Sequence, residues 1–262
     1  MKRSFLLLIL LTFTFSGYSR VIKRPIPDKL VVLTFDDAPA SHYSIVAPLL
    51  KAYGFGATFF VCEFPPNFKD SSKYMNWRQI KVLDAMGFEV ASHTRTHPPV
   101  SKLTNEQFNE ELKYIEDKCD SLHMAKPVNF AYPGYDVNRP SVDALRTRGY
   151  KFARIGGSKA YDPQTDHPLL VPSWATTAGN KARILGAFSE ARNGKIVVLT
   201  IHGVPDVEHS WVTISPELFG EYLKYLSENH YKVIALRDLE KYINVRQAGR
   251  LIVPDLKQRL NN

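Results

Sequence analysis

Cysteine is nearly absent. Cys62 and Cys119 are the only two in 262 residues, too few for a disulfide framework even in an exported chain. Cys62 ends an apolar strand and Cys119 lies on the apolar face of a helix, so two buried thiols are expected rather than a bridge. The one long apolar run, Phe5 to about Phe15, falls short of the roughly 20 residues needed to cross a bilayer. No Gly/Ser linker, repeat or low-complexity tract divides the chain, which argues for one large domain. Nor is there a block of one charge sign: the formal net charge is +8, but the basic residues are scattered among acidic ones. Nucleic acid is therefore not an expected partner, while a mild positive field favours association with anionic glycans or the cell envelope.

The apolar run follows Lys2 and Arg3 and precedes Ser16, Gly17 and Ser19, the pattern of a removable secretory signal peptide over residues 1–19. An uncleaved anchor is the alternative; no cysteine follows the run to carry a lipid. The expected localisation is secreted or periplasmic, with no stable membrane insertion after processing. About 240 residues then remain, ample for a single core. The expected domain spans 20–246, with 247–262 as a surface tail.

Short β-branched and aromatic runs recur near Leu30–Phe35, Ala57–Val61, Glu89–Ser92, Val128–Tyr132, Phe152–Ile155, Leu169–Val171, Ile196–Ile201 and Lys232–Ala235, and helical segments separate most of them. The clearest helix begins at Thr104, where Thr104 and Gln107 can form a capping box. It carries Phe108, Leu112, Ile115, Cys119 and Leu122 on one face. Gly54, Gly87, Gly149 and Gly194 fall where helices must stop before the next strand. Such alternation predicts an α/β fold with parallel strands, and about seven to eight units suggest a closed or partly open (β/α) barrel. An open doubly wound sheet is the alternative. In both, ligands gather at the carboxyl ends of the strands.

Asp36 and Asp37 end the first strand, His93 the third and His202 the seventh; Tyr135 follows the fourth and Trp174 the sixth. Unrelated acids and histidines would fall at both ends of the strands, so this one-sided placement points to a site. If the chain turns helically after Ser92, His93 and His97 share a face and both imidazoles can reach one ion. Two nitrogens and one carboxylate oxygen would make an open site suited to Zn²⁺ or a similar divalent metal. Adjacent Asp36 and Asp37 point different ways, so one can bind metal while the other faces a reacting water. Each residue alone has a plainer role, as a helix cap or a hydrogen-bonded loop histidine.

The segments Thr34-Phe35-Asp36-Asp37, His93-Thr94-Arg95-Thr96-His97, Phe130-Ala131-Tyr132-Pro133-Gly134-Tyr135 and Leu199-Thr200-Ile201-His202 resemble, in order and spacing, the motifs of the NodB-type polysaccharide deacetylases, carbohydrate esterase family 4. The resemblance covers roughly Lys29 to Tyr242. It implies a distorted (β/α) barrel, with Asp37, His93 and His97 as metal ligands, Asp36 as general base and His202 as general acid. It also implies a divalent cofactor, Zn²⁺ first, with Co²⁺ and Ni²⁺ suited by the same donors. The implied substrate is an acetylated carbohydrate, with a main-chain amide near Gly134 or Tyr135 steadying the oxyanion.

Two departures stand out. The third motif of the family commonly carries an arginine that orients the base, where this chain has Ala131. The fourth-motif acids are also missing, Ser173-Trp174 keeping only the aromatic. Arg154 is the candidate to return a cation to Asp36, and Asp206 and His209 are candidates to tune His202. Trp174, Tyr135 and Trp211, in that order of preference, are candidate platforms for sugar faces. Three readings follow: a metal-dependent deacetylase, a carbohydrate-binding relative without catalysis, and a hydrolase of another non-peptide C–N bond.

Overall fold

Strand β1, Leu30–Phe35, has only Thr34 as a polar residue and is buried at every position, as a strand covered on both faces requires. The computed structural model describes residues 21–257. The segment read as a signal peptide lies outside the described residues, as does the last part of the tail.

Seven further strands follow β1: β2 (Thr58–Val61), β3 (Glu89–Ser92), β4 (Asn129–Ala131), β5 (Phe152–Gly157), β6 (Val171–Ala175), β7 (Val197–Ile201) and β8 (Lys232–Ile234). Between and after them lie α1 (Ala47–Tyr53), α2 (Trp77–Ala85), α3 (Asn105–Ser121), α4 (Arg139–Thr147), α5 (Lys181–Phe188), α6 (Pro216–Glu228) and α7 (Val245–Leu251). The strands are parallel, and β1 through β7 pair in sequence until β7 meets β1, so the sheet closes on itself. This is the distorted barrel expected, and not the open sheet.

The distortion sits at β8. Leu30, Val31 and Val32 of β1 pair with β8, whereas Thr34 and Phe35 pair directly with β2. A short strand is thus wedged between β1 and β2 at one end only. Gly56, just before β2, donates its N–H to the Val233 carbonyl at 3.2 Å. A Cβ at position 56 would lie 2.9 Å from the Ala235 nitrogen, so the wedge requires glycine there.

Alternation along each strand sorts side chains into two layers. Val31, Leu33 and Phe35 pack outward with residues of α1 and α6 such as Leu50 and Phe219. Leu30 and Val32 face the interior with Phe60, Ala91, Ala131, Phe152, Val171 and Val198. The same parity carries Asp36, His93, Arg154, Ser173, Thr200 and His202 along the interior lines of their strands.

The helices follow the sequence pattern closely. Thr104 caps α3 through the expected box with Gln107, and Phe108, Leu112, Ile115 and Cys119 are buried. Gly54, Gly87, Gly149 and Gly194 all have positive φ, and both cysteines are free and buried.

Two expectations are corrected. The sixth strand runs Val171–Ala175, and Pro168–Leu170 is a helical turn started by the His167 side chain, which accepts from the Leu169 N–H. Proline cannot donate to a ladder, and pairing to β5 is irregular between Arg154 and Gly157. The expected tail boundary at Gln247 falls inside α7, where Ala248 is fully buried; α7 is part of the domain's packing.

Replacing Gly56 with alanine presses a methyl onto the β8 backbone. The expected loss is about 1–3 kcal/mol, read from the urea midpoint; an unchanged midpoint would mean that β8 yields freely at this contact.

Candidate active site

Strand β1 ends by turning sharply. Asp36 donates its N–H to the Ile201 carbonyl at 2.9 Å, still in ladder geometry. Asp37 and Ala38 then take positive φ of 70° and 56°, a costly backbone state for residues with a Cβ. The turn leaves the Asp36 carboxylate beneath the mouth of the barrel and swings that of Asp37 across it.

The His93 to His97 segment does not form the helical turn expected. Thr94 and His97 both have positive φ, and the segment is a loop held from outside by α3. Glu111 accepts the N–H groups of Arg95 and Thr96, each at 2.7 Å, and the Thr96 hydroxyl at 2.8 Å. Both imidazoles nonetheless reach one place: Nε2 of His93 and Nε2 of His97 each lie 3.4 Å from Asp37 Oδ1, and the three ligand atoms are within 4.8 Å of one another.

The chemistry of this donor set fits a cation. His93 Nδ1 lies 2.7 Å from the Ala131 carbonyl, which can only accept, so a proton sits there and in the neutral ring Nε2 presents a lone pair. A lone pair facing a carboxylate oxygen at 3.4 Å is repulsive unless a proton or a metal ion lies between them. Asp37 Oδ1 is moreover buried with no hydrogen-bond partner among the described residues. Burial pushes the Asp37 carboxyl up, but the neighbouring imidazoles, His93 first and then His202 and His97, outweigh it and hold the carboxyl well below the ordinary range. Burial and the neighbouring His93 lower His97 to about 4, so this ring is neutral near pH 7. For His93, burial pulls downward, but Asp36 and Asp37 together raise its pKa above the ordinary value.

Asp36 is tied to Arg154 on the inner side of this cluster, with its Oδ2 3.8 Å from His93 Nε2. The guanidinium is fully buried, with Nη2 paired to Asp36 Oδ2, Nη1 donating to the Thr200 hydroxyl at 2.6 Å, and the cation over the rings of Phe60 and Tyr135. Thr200 and Ser173 share a hydrogen bond of 2.7 Å, and the Ser173 hydroxyl donates to the Ile155 carbonyl. The hydroxyls of β6 and β7 therefore brace an arginine on β5. Ala131, which stands where the family's arginine is missing, is the register partner of Arg154 across β4 and β5. The Arg154 cation thus stands one strand away from Ala131, about 4.8 Å, at the same height. Asp36 Oδ1 makes no hydrogen bond among the described residues and is left for an incoming group.

A cleft of about 280 Å³ opens over these groups. It is lined by Asp36, Asp37, both motif histidines and His202, and further out by Phe64, Tyr135, His209 and Trp211. His202 Nε2 stands 3.8 Å from Asp37 Oδ2, and its carbonyl is 3.0 Å from His42 Nε2. His42 lies on a wide helical turn ahead of α1, and nothing in its sequence context signals a role at the rim.

Asp206 does not tune His202. Its carboxylate accepts the N–H groups of Gly203, Glu208 and His209 and pairs with His209 Nδ1 at 3.3 Å, while His202 Nδ1 is without a partner among the described residues. The aspartate shapes a loop that lays His209 between Phe64 and Trp211. The main-chain expectation narrows likewise: the Tyr135 N–H is taken by the Tyr132 carbonyl at 3.0 Å, which leaves Gly134, exposed at positive φ, as the amide facing the cleft.

Trp174 is absent from the cleft lining. Ser173 points inward, so alternation sends Trp174 outward onto α5, where Arg183 stacks on it at 5.0 Å. Trp211, ranked last of the three aromatics, lines the cleft and is 71% exposed.

The polysaccharide deacetylase family model matches residues 23–153, which include Asp36, Asp37, His93 and His97 and stop just before Arg154. A bifunctional xylanase/deacetylase of Pseudobutyrivibrio xylanivorans is 27% identical over 206 residues, 73% of this chain and 30% of that protein. The chain spans less than half the length of the first curated relatives it matches. Among solved structures, the chitin deacetylase of Colletotrichum lindemuthianum superposes with a TM-score of 0.61 at 21% identity, covering 84% of this chain and 93% of that one. A family 4 pseudoenzyme from Bacillus anthracis gives 0.57 at 18% identity, covering 82% and 66%. With half its length matched by the family model and the barrel shared with these neighbours, the chain belongs to the polysaccharide deacetylase family, the NodB type of carbohydrate esterase family 4.

Proposed function

We propose that the protein is a metal-dependent hydrolase that removes acetyl groups, mainly N-acetyl, from a polysaccharide or oligosaccharide. The observation that carries this reading is the division of the two adjacent acids. Asp37 Oδ1 sits with two imidazole nitrogens, and Asp36 is held on the other side by Arg154 with one oxygen free. Asp37, His93 and His97 are the residues that would hold a divalent ion, Zn²⁺ by donor type. When bound there, the ion supplies Lewis acidity to an acetyl carbonyl and to a water.

The chain's own residues do the rest. Asp36 Oδ1 accepts the proton of the attacking water, while Arg154 fixes Oδ2, which also lies 3.8 Å from His93 Nε2. His202 returns a proton to the departing amine. The Gly134 N–H is available to the developing oxyanion, and Trp211 offers a flat apolar face to a pyranose at the edge of the cleft. The N-terminal pattern of residues 1–19 supports a protein working outside the cytoplasm.

The unpartnered His202 Nδ1 favours the second reading, a carbohydrate-binding relative with impaired catalysis, since no acid orients the imidazole. Acetate release from a panel of acetylated glycans, with metal content measured on the same sample, separates the two. Metal without acetate from any substrate would reject the deacetylase.

Three outcomes are expected. Asp36→Asn keeps its metal and loses about 10²- to 10⁴-fold in kcat, whereas Asp37→Asn loses the metal; full occupancy in the second variant would exchange the roles of the acids. Metal affinity rises with pH between about 5 and 8, because the raised pKa of His93 keeps a proton on a ring that must be neutral to ligate. The sign for the metal-free fold is opposite, since the charge pairing of His93 is lost as pH rises. Calorimetry across that range reads the first slope, and a flat profile would remove His93 from the ligand set. Arg154→Met strands a buried carboxylate, costs about 3–5 kcal/mol of stability and lowers kcat, while Arg154→Lys recovers part of both; equal activity in all three proteins would show that Arg154 only fills space.

A further inference from the structure

A second cavity, of about 330 Å³, opens at the far end of the barrel from the cleft. It lies where Tyr150 and Lys151 lead into β5 and where His167, Pro168 and Leu169 lead into β6, and α7 forms its outer wall. The cleft chemistry uses none of these residues.

Its floor holds an unspent donor. His167 is 3% exposed, and its Nδ1 accepts the Leu169 N–H at 3.0 Å, which places the ring proton on Nε2. Burial, with the charges of Arg146 and Arg139, lowers the pKa of His167 to about 4, so the ring is neutral in use and Nε2–H can only donate. The Gly249 backbone lies near enough to the ring to raise its pKa against these effects, yet no group among the described residues meets Nε2 at full hydrogen-bonding distance and angle. A buried donor of this kind is uncommon in a folded protein.

The wall carries surplus positive charge. Lys151 is matched by Glu240 at 2.5 Å and Arg146 by Asp143 at 2.8 Å. Arg246 and Arg250, one turn apart on the same side of α7, make no ion pair among the described residues and line the cavity. Between them in sequence stands Gly249, within a helix and without a positive φ to require glycine. A Cβ there would meet only His167 Nε2 and the Pro168 ring, both at 3.9 Å. Packing would accept a side chain at this position, and the glycine keeps the opening over His167 clear. The remaining lining is apolar, from Leu169, Pro168 and Val245, and the volume is at the small end for a ligand site.

We propose that this cavity is a second binding site that takes an acidic sugar, its carboxylate or phosphate reaching His167 Nε2–H and the guanidinium groups of Arg246 and Arg250, its ring against the apolar wall. Arginine forks suit such oxyanions, and a sugar ring has both the size and the apolar C–H face that the walls demand. The site would let the protein hold an anionic polymer at one end of the barrel while its cleft works at the other.

The test is calorimetric titration of the full chain with D-glucuronate, glucose 6-phosphate, inorganic phosphate and glucose. Either acidic sugar is expected to bind at least about tenfold more tightly than glucose or inorganic phosphate and to shift the His167 ring nitrogens in NMR spectra. Arg246→Gln/Arg250→Gln should weaken that binding by at least about tenfold, and Gly249→Leu should abolish it. Gly249→Ala, whose methyl reaches only ordinary contact, serves as the folding control. Acetate release from an uncharged acetylated oligosaccharide should be unchanged in every variant. The proposal is overturned if no acidic sugar binds, if glucose binds as well, or if the arginine variants bind like the parent. Inorganic phosphate binding as tightly as the sugar phosphate would also overturn it, since the sugar would then contribute nothing.

Discussion

The pairing of Asp36 with Arg154 inside the barrel is the interaction around which the rest is arranged. Two charges withdrawn from water lose several kcal/mol of solvation each, and only close geometry with further hydrogen bonds recovers it. The structure provides this with the Thr200 hydroxyl, the Ser173 hydroxyl behind it, and the rings of Phe60 and Tyr135 on the cation. Because Thr200, Ser173 and Phe60 sit on strands and Tyr135 on the tight turn after β4, the carboxylate is held by the most rigid part of the fold. One acid is thereby committed to a cation below, and its neighbour to the imidazoles above.

That separation explains why adjacent aspartates can differ in role. Asp36 belongs to the ladder and points down the barrel axis by parity. Asp37 has left the ladder through a positive φ and points across the mouth. The strained turn is the price of placing two carboxylates on opposite sides of one reacting centre. A similar strain recurs at Thr94 and His97, where Glu111 from α3 ties the loop down.

Much of this was legible from strand periodicity. The position of each motif at a carboxyl end, the barrel closure, the α3 cap and the glycine stops all follow from residue patterns that local physics reads directly. Arg154 was reachable because it occurs at a strand end on the inward parity. Parity also places Trp174 outside, but the flat apolar face of the ring suits a sugar platform and obscures that simpler signal. The loop geometry of His93 and His97 was not legible, since a spacing of four is shared by a helical turn and by a loop pinned from elsewhere. Glu111 and His42 carry no local mark, because their work depends on contacts 15 or more residues away along the chain. Asp206 was close to His202 in sequence, yet nearby amides claimed its oxygens first.

The part-length β8 gives the barrel a taper. Eight strands share the circumference at the amino ends, but at the carboxyl ends β1 closes on β2 directly and seven must suffice. A ring with fewer staves is narrower, so the mouth is drawn in where β1 and β3 deliver their acids and imidazoles. Convergence of the donors is thus a property of the whole girth of the fold, and loop sequence has only to finish what the circumference begins.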